Sequence, residues 1–219
     1  MPHSQINIET SAPQIRYPYR TKAQNRYVTF REVLKWLVRG FPDRLPDILK
    51  RKEVFKYAQK YGLEIFVESG TYLGDMVQAS LPYCEKAYSI EIQTPLWQAA
   101  VSRFRNIPKV KILCGNGPDV LPAILDEIHE PALFWLDGHF ASGTTHSGEV
   151  ACPTLQELIL ILHHPYDHVV LIDDAREFTG KFGYPTVEEV SDTVKAVRPQ
   201  WEVVVHKDII RIAAQAQSH

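Results

Sequence analysis

The sequence predicts an α/β fold of three layers, in which a mostly parallel seven-stranded sheet lies between helices and is closed by a C-terminal antiparallel hairpin. Three observations predict it. Apolar runs recur along the chain and each ends in a polar or acidic residue, segments of helical period lie between them, and the last two runs are joined by a turn too short for a crossover.

The first run, Ile65-Phe66-Val67-Glu68, passes into Ser69-Gly70-Thr71-Tyr72-Leu73-Gly74, with two glycines four apart ahead of a helix from Asp75 to Leu81. Gly70 and Gly74 let the backbone take positive φ and come close to a ligand. Neither the dinucleotide fingerprint nor the P-loop pattern is present. The next runs are Ala87 to Glu91, Val110 to Asn116, Ala132 to Asp137 and His168 to Asp174. Between them, Thr94-Pro95 reads as a cap and first helical residue for a helix to about Arg105, Pro118 opens another, and Pro153 to His163 carries an apolar side of Leu155, Leu158, Ile159 and Leu162. Thr186-Val187-Glu188-Glu189 has the form of a capping box ahead of a helix to about Val197. Trp201 to Val205 and Ile209 to Ala213 flank the turn His206-Lys207-Asp208 and must therefore run antiparallel. In a sheet so built, ligands bind outside the carboxyl ends of the parallel strands, and the acids that end the runs converge on one rim.

With 219 residues, 45% of them hydrophobic, the chain can bury a core of its own, and no apolar stretch approaches the ~18–20 residues of a membrane span. The start lacks the basic-then-apolar pattern of a signal peptide, and Cys84, Cys114 and Cys152 form no C-x-x-C pair, so a cytoplasmic protein without a disulfide framework or zinc knuckle is expected. The net charge of −2 conceals an asymmetry, since residues 1–60 hold 13 Lys/Arg against 5 Asp/Glu. Residues 1–62 are expected to form a basic tail followed by helices over Phe30–Val38 and Leu45–Tyr61 that pack on a domain spanning 63–219. A substrate lid or a patch for an anionic partner is the sharper alternative for the basic segment.

The pattern Glu68-x-Gly70-x-x-x-Gly74, the acid Glu91 placed 23 residues later, and the closing hairpin together resemble the class I S-adenosylmethionine-dependent methyltransferases over roughly residues 63–214. The resemblance implies the Rossmann-like fold of that family and S-adenosyl-L-methionine as cofactor. It implies that Glu91 holds the ribose hydroxyls, that Glu68, Gly70, Thr71, Tyr72 and Gly74 surround the methionine end, and that Asn116 lies beside adenine with Asp137 nearby. A surface acid at Glu91 and an ordinary Asn-Gly turn at Asn116 are the plain alternatives.

Strands ending at Asp137 and at Asp173-Asp174 are expected to bring three carboxylates into one cleft, where uncompensated they would repel; all-oxygen ligation would suit Mg²⁺ or another divalent cation. The arrangement resembles the metal-dependent O-methyltransferases of catechol and macrocin type. It departs from the catechol enzymes in having Asp174 where they carry Asn, and Phe140 where they carry a lysine. Helix capping or pairing with Arg176 is the alternative for these acids. His139, beside a Gly/Ser/Thr-rich loop, is the expected general base or a metal ligand, with His146, Glu149 and Lys181 behind it. His163, His164 and His168 fall at the opposite end of their strand and are expected to take no part. The expected partner is a small-molecule acceptor; a membrane and nucleic acid are not expected, and a homodimer is left open. A non-catalytic nucleotide-binding regulator and a metal-dependent hydrolase are the rival readings.

Overall fold

A computed structural model describes residues 22–40, 44–137 and 152–215. Two helices precede the sheet, α1 (Lys22–Val38) and α2 (Asp47–Tyr61). Then follow β1 (Ile65–Ser69), α3 (Asp75–Ser80), β2 (Lys86–Glu91), α4 (Thr94–Phe104), β3 (Val110–Cys114), α5 (Gly117–Leu125), β4 (Leu133–Leu136), α6 (Pro153–His163) and β5 (Val169–Ile172). A short 3₁₀ turn (Ala175–Glu177), α7 (Val187–Val197), β6 (Trp201–His206) and β7 (Ile209–Ala214) complete the chain. The seven strands form one sheet in the order β3-β2-β1-β4-β5-β7-β6, parallel from β3 to β5, with β7 antiparallel to both of its neighbours.

Alternation along the buried strands sends successive side chains to opposite faces. Val67, Phe134, Leu136, Val170 and Ile172 pack in one core with Leu121 and Ile124 of α5, Leu158 and Ile161 of α6, and Val190 and Val194 of α7. Phe66, Leu133, Trp135, Val169 and Leu171 pack in the other with Val54 and Ala58 of α2, Val77 of α3 and Phe104 of α4. That second core explains α2. A helix carrying Lys50, Arg51, Lys52, Lys56 and Lys60 is fixed by one stripe, Lys50-Val54-Ala58, buried at a spacing of four.

Local signals mostly hold, with shifts at several boundaries; α2 starts at Asp47, two residues later than expected. α1 begins at Lys22, eight residues earlier than the apolar pattern indicated. In α4 the cap position falls on Gln93, whose side chain makes no cap bond, and Thr94 is already helical, so the Thr-Pro pair sits one residue inside the expected boundary. α5 starts at Gly117 and carries Pro122 within it. The capping box of α7 is complete: Thr186 Oγ1 accepts from the Glu189 amide at 3.0 Å, and the Thr186 amide donates to Glu189 Oε2 at 2.6 Å. At the far end of the sheet His168 is fully buried; its Nδ1 accepts from the Ala132 amide, so its Nε2 carries the hydrogen shared with His164 Nδ1 at 2.7 Å. Burial lowers the His168 pKa to about 3, and the imidazole is a neutral packing and hydrogen-bonding group.

Candidate cofactor and acceptor site

The chain path reverses between β1 and β4, which lie side by side at the centre of the sheet. Crossovers leave this point in opposite directions, opening a crevice at the carboxyl ends of the two strands. Two groups of sequence-predicted residues border it.

The first group surrounds the β1–α3 turn. Gly70 and Gly74 both have positive φ, 97° and 74°. At Gly74 a Cβ would stand 2.7 Å from the Phe104 ring, so this position is closed to larger residues by backbone and packing alike. Tyr72 follows the turn with φ of 46° and an exposed side chain. Its amide donates to Glu91 Oε2 at 2.8 Å, while the Gln93 amide donates to Glu91 Oε1 at 2.9 Å. The Glu91 carboxylate is therefore oriented by two backbone donors at the end of β2. Glu68 lies deeper. It accepts from Ser89 Oγ at 2.6 Å, and Ser89 Oγ is in turn 2.6 Å from Thr71 Oγ1. Burial, reinforced by the charges of Asp137 and Glu91, pushes the Glu68 carboxyl well above its ordinary range. Glu68 and Thr71 thus brace the turn from beneath, joined through Ser89. Asn116 sits where β3 leads into α5 and donates to Asp119 Oδ2 at 3.2 Å, while the adjacent Gly115 amide donates to the Glu91 carbonyl.

The second group lies across the crevice. Strand pairing sets Leu136 beside Ile172, so Asp137 and Asp173 follow at the same level, and one oxygen from each of Asp137, Asp173 and Asp174 falls within 4.8 Å of the others. Asp137 and Asp173 continue the odd-numbered side chains of β4 and β5, the set that faces α2. Asp174 turns out of the strand with φ of 53°. Phe178, Tyr184 and Thr154 complete the walls of a small cleft over these carboxylates.

The three carboxylates meet cations of the chain itself, among them Arg176, the partner given above as the alternative to a metal. Lys50 of α2, only 6% exposed, places Nζ 2.5 Å from Asp173 Oδ2 and 3.1 Å from Asp174 Oδ1. Arg176 donates to Asp174 Oδ1 at 2.8 Å and also pairs with Asp208. The remaining oxygen of Asp173 accepts from the Asp174 amide at 2.8 Å. Burial alone would lower the Lys50 pKa, but the charges and hydrogen bonds of Asp173 and Asp174 outweigh it and hold it above its ordinary value, so the ammonium stays charged. Three carboxylates suit an oxygen-preferring divalent ion in kind. With the Lys50 ammonium on Asp173 and Asp174 and the Arg176 guanidinium on Asp174 they do not fit one, because a divalent ion would lie against two cations already bonded to these carboxylates.

His139, the proton acceptor expected from the sequence, and His146 and Glu149 behind it lie outside the described residues. Lys181 is exposed beyond the 3₁₀ turn. Two further buried charged side chains border the crevice and were not singled out from the sequence. Lys50 is one of many basic residues before β1, and its signal was its place in the apolar stripe with Val54 and Ala58. Glu157 of α6 is fully buried, with Oε1 2.5 Å from Ser69 Oγ, and its burial pushes the carboxyl up to about 7. At Gly117 a Cβ would stand 1.5 Å from Glu157 Oε1, so this glycine is what admits the acid between α5 and the end of β1.

The chain is similar in fold to solved methyltransferases. The O-methyltransferase TomG from Streptomyces achromogenes, solved with S-adenosylmethionine, is 15% identical over 89% of this chain and 90% of its own, with a TM-score of 0.54. The chain has the methyltransferase fold. The S-adenosylhomocysteine-bound methyltransferase PaMTH1 from Podospora anserina is 14% identical over 91% of this chain and 98% of its own, with a TM-score of 0.54. The N-methyltransferase NodS from Bradyrhizobium japonicum, solved with S-adenosylhomocysteine, is 10% identical over 76% and 86%, with a TM-score of 0.51. No protein-family model and no curated protein matches the sequence. In the methyltransferase fold of this chain the described helices include none long and apolar enough to cross a membrane.

Proposed function

We propose that this protein is an S-adenosylmethionine-dependent methyltransferase acting on a hydroxyl of a small molecule. The observation that carries the reading is Glu91: a carboxylate at the end of the second strand, aimed by the Tyr72 and Gln93 amides, beside a turn whose two glycines have positive φ. A carboxylate so placed suits a cis-diol, since it can accept from both ribose hydroxyls without first reorganising. Gly70, Thr71, Tyr72 and Gly74 would hold the methionine end, with Glu68 fixing the turn through Ser89, and Asn116 and Asp137 would border the adenine and sulfonium sides. The cofactor brings a methyl group already activated for transfer. What remains for the chain is to align the acceptor oxygen and exclude water. The cleft over Asp137, Asp173 and Asp174, with Phe178 and Tyr184 as apolar walls, is where an acceptor hydroxyl would be held by a hydrogen bond to a carboxylate. A divalent cation on those aspartates is not part of this reading. Residues 63–219 are the catalytic unit in this proposal, and α2 completes it by packing Val54 and Ala58 on the sheet.

Calorimetry with S-adenosylhomocysteine on the full chain tests the reading. A Kd of about 1–100 µM, or roughly −5 to −8 kcal/mol, is expected. Absence of binding removes the methyltransferase reading at its base.

A further inference from the structure

We propose that Lys50, carried by the N-terminal helix α2, is the resident cation of the acceptor cleft and excludes a divalent metal ion from the three aspartates. The inference deepens the methyltransferase reading of the same cleft. Lys50 is separated by 123 residues from Asp173 in sequence, yet its ammonium bonds Asp173 Oδ2 at 2.5 Å and Asp174 Oδ1 at 3.1 Å. It is a built-in group, not a surface side chain folded inward by chance. It shares its buried stripe with Val54 and Ala58, α2 ends at Gly62 in a left-handed cap, and Glu53 one turn on is bonded by Arg211 at 2.9 Å. Helix position and side-chain length together leave the ammonium few places other than the cleft.

Its charge is also placed where a metal would have to sit. Asp173 spends one oxygen on Lys50 and the other on the Asp174 amide, and Asp174 Oδ1 is shared between Lys50 and Arg176. A divalent ion would have to strip these bonds and then lie a few ångströms from an ammonium and a guanidinium in a poorly solvated cleft. Removing Lys50 leaves the opposite situation: adjacent carboxylates short of one positive charge, an arrangement that binds hard divalent ions. The N-terminal segment thus supplies a functional group of the site as well as covering the sheet.

The test uses metal alone on the full, EDTA-stripped chain, with Mn²⁺ binding followed by electron paramagnetic resonance and S-adenosylhomocysteine binding measured in parallel. Wild type is expected to show no Mn²⁺ site below ~1 mM, whereas Lys50→Met should gain one at least ~10-fold tighter, lost again when Asp173→Asn is added. A wild-type site in the micromolar range overturns the proposal, and so does a folded Lys50→Met protein with no site. Lys50→Gln, whose amide still donates to the carboxylates, replaces Lys50→Met if the latter does not fold. Should neither fold, the wild-type titration decides by itself. Loss of S-adenosylhomocysteine binding would strike the cofactor reading and leave the Mn²⁺ result standing, so the two failures are distinguishable.

Discussion

Glu91 and Glu157 are both buried acids near the crevice, and their surroundings give them opposite characters. Glu91 receives two backbone N–H donors, and its mutation to alanine removes an aligned acceptor of the proposed ribose contact. Glu91→Ala is expected to weaken S-adenosylhomocysteine binding by ~1–3 kcal/mol in calorimetry, and unchanged affinity would reassign the residue to bracing the Tyr72 turn. Glu157 has Ser69 as donor to one oxygen, while Oε2 is without a partner among the described residues. Its carboxyl rises from an ordinary 4.5 to about 7 because burial disfavours the charged form. The folded state therefore holds this proton more tightly than the unfolded chain. The stability it contributes is complete below pH 4.5 and is lost as pH rises to about 7, by roughly 3 kcal/mol in all. In urea titrations, Glu157→Gln should lose this decline, so that wild type falls relative to the variant between pH 5 and pH 8. Parallel curves for the two proteins would show that Glu157 is ionised in the folded state.

At the level of elements, α4 and α7 show what capping signals do and do not specify. Thr186 and Glu189 exchange hydrogen bonds at the start of α7, and Thr186→Ala is expected to cost about 1 kcal/mol in chemical denaturation. Thr94 looks equally good in sequence, yet it stands inside α4 and Gln93 takes the cap position, so Thr94→Ala should change stability by less than ~0.5 kcal/mol. A full 1 kcal/mol loss at Thr94 would place the helix start where the sequence pattern put it. The four-residue pattern of the capping box fixes its register, because two reciprocal bonds must close; a lone threonine before proline does not.

For the whole molecule, the sheet has two apolar faces and each must be covered. One is covered by α5, α6 and α7, and the other by α3, α4 and α2, with Leu45, Val54, Ala58 and Leu63 contributing buried side chains. Deleting residues 1–62 would uncover Leu171 and Trp135 beneath α2 and leave Asp173 and Asp174 without Lys50. The fragment 63–219 is expected to lose cooperative thermal unfolding, or to melt more than ~10 °C below the full chain, by circular dichroism. A fragment with unchanged Tm would show α2 to be an independent appendage.

The order of strands along the chain, their antiparallel close and the rim of acids at their ends were legible in the sequence because they rest on local periodicity. Side chains alternate every two residues in a strand and recur every 3.6 in a helix, and a two- or three-residue turn permits only an antiparallel return. The ends of two adjacent runs placed Asp137 and Asp173 in one cleft, and the spacing from Glu68 to Glu91 located the diol-binding position proposed here. Tertiary structure alone decided which charges those acids meet. Lys50 reaches Asp173 across 123 residues, Arg176 reaches Asp208 across 32, and Glu157 reaches Ser69 across 88. No local pattern encodes such pairs, since each depends on two elements docking at one register, and the electrostatics of a buried cleft is set by those partners at least as much as by its own residues.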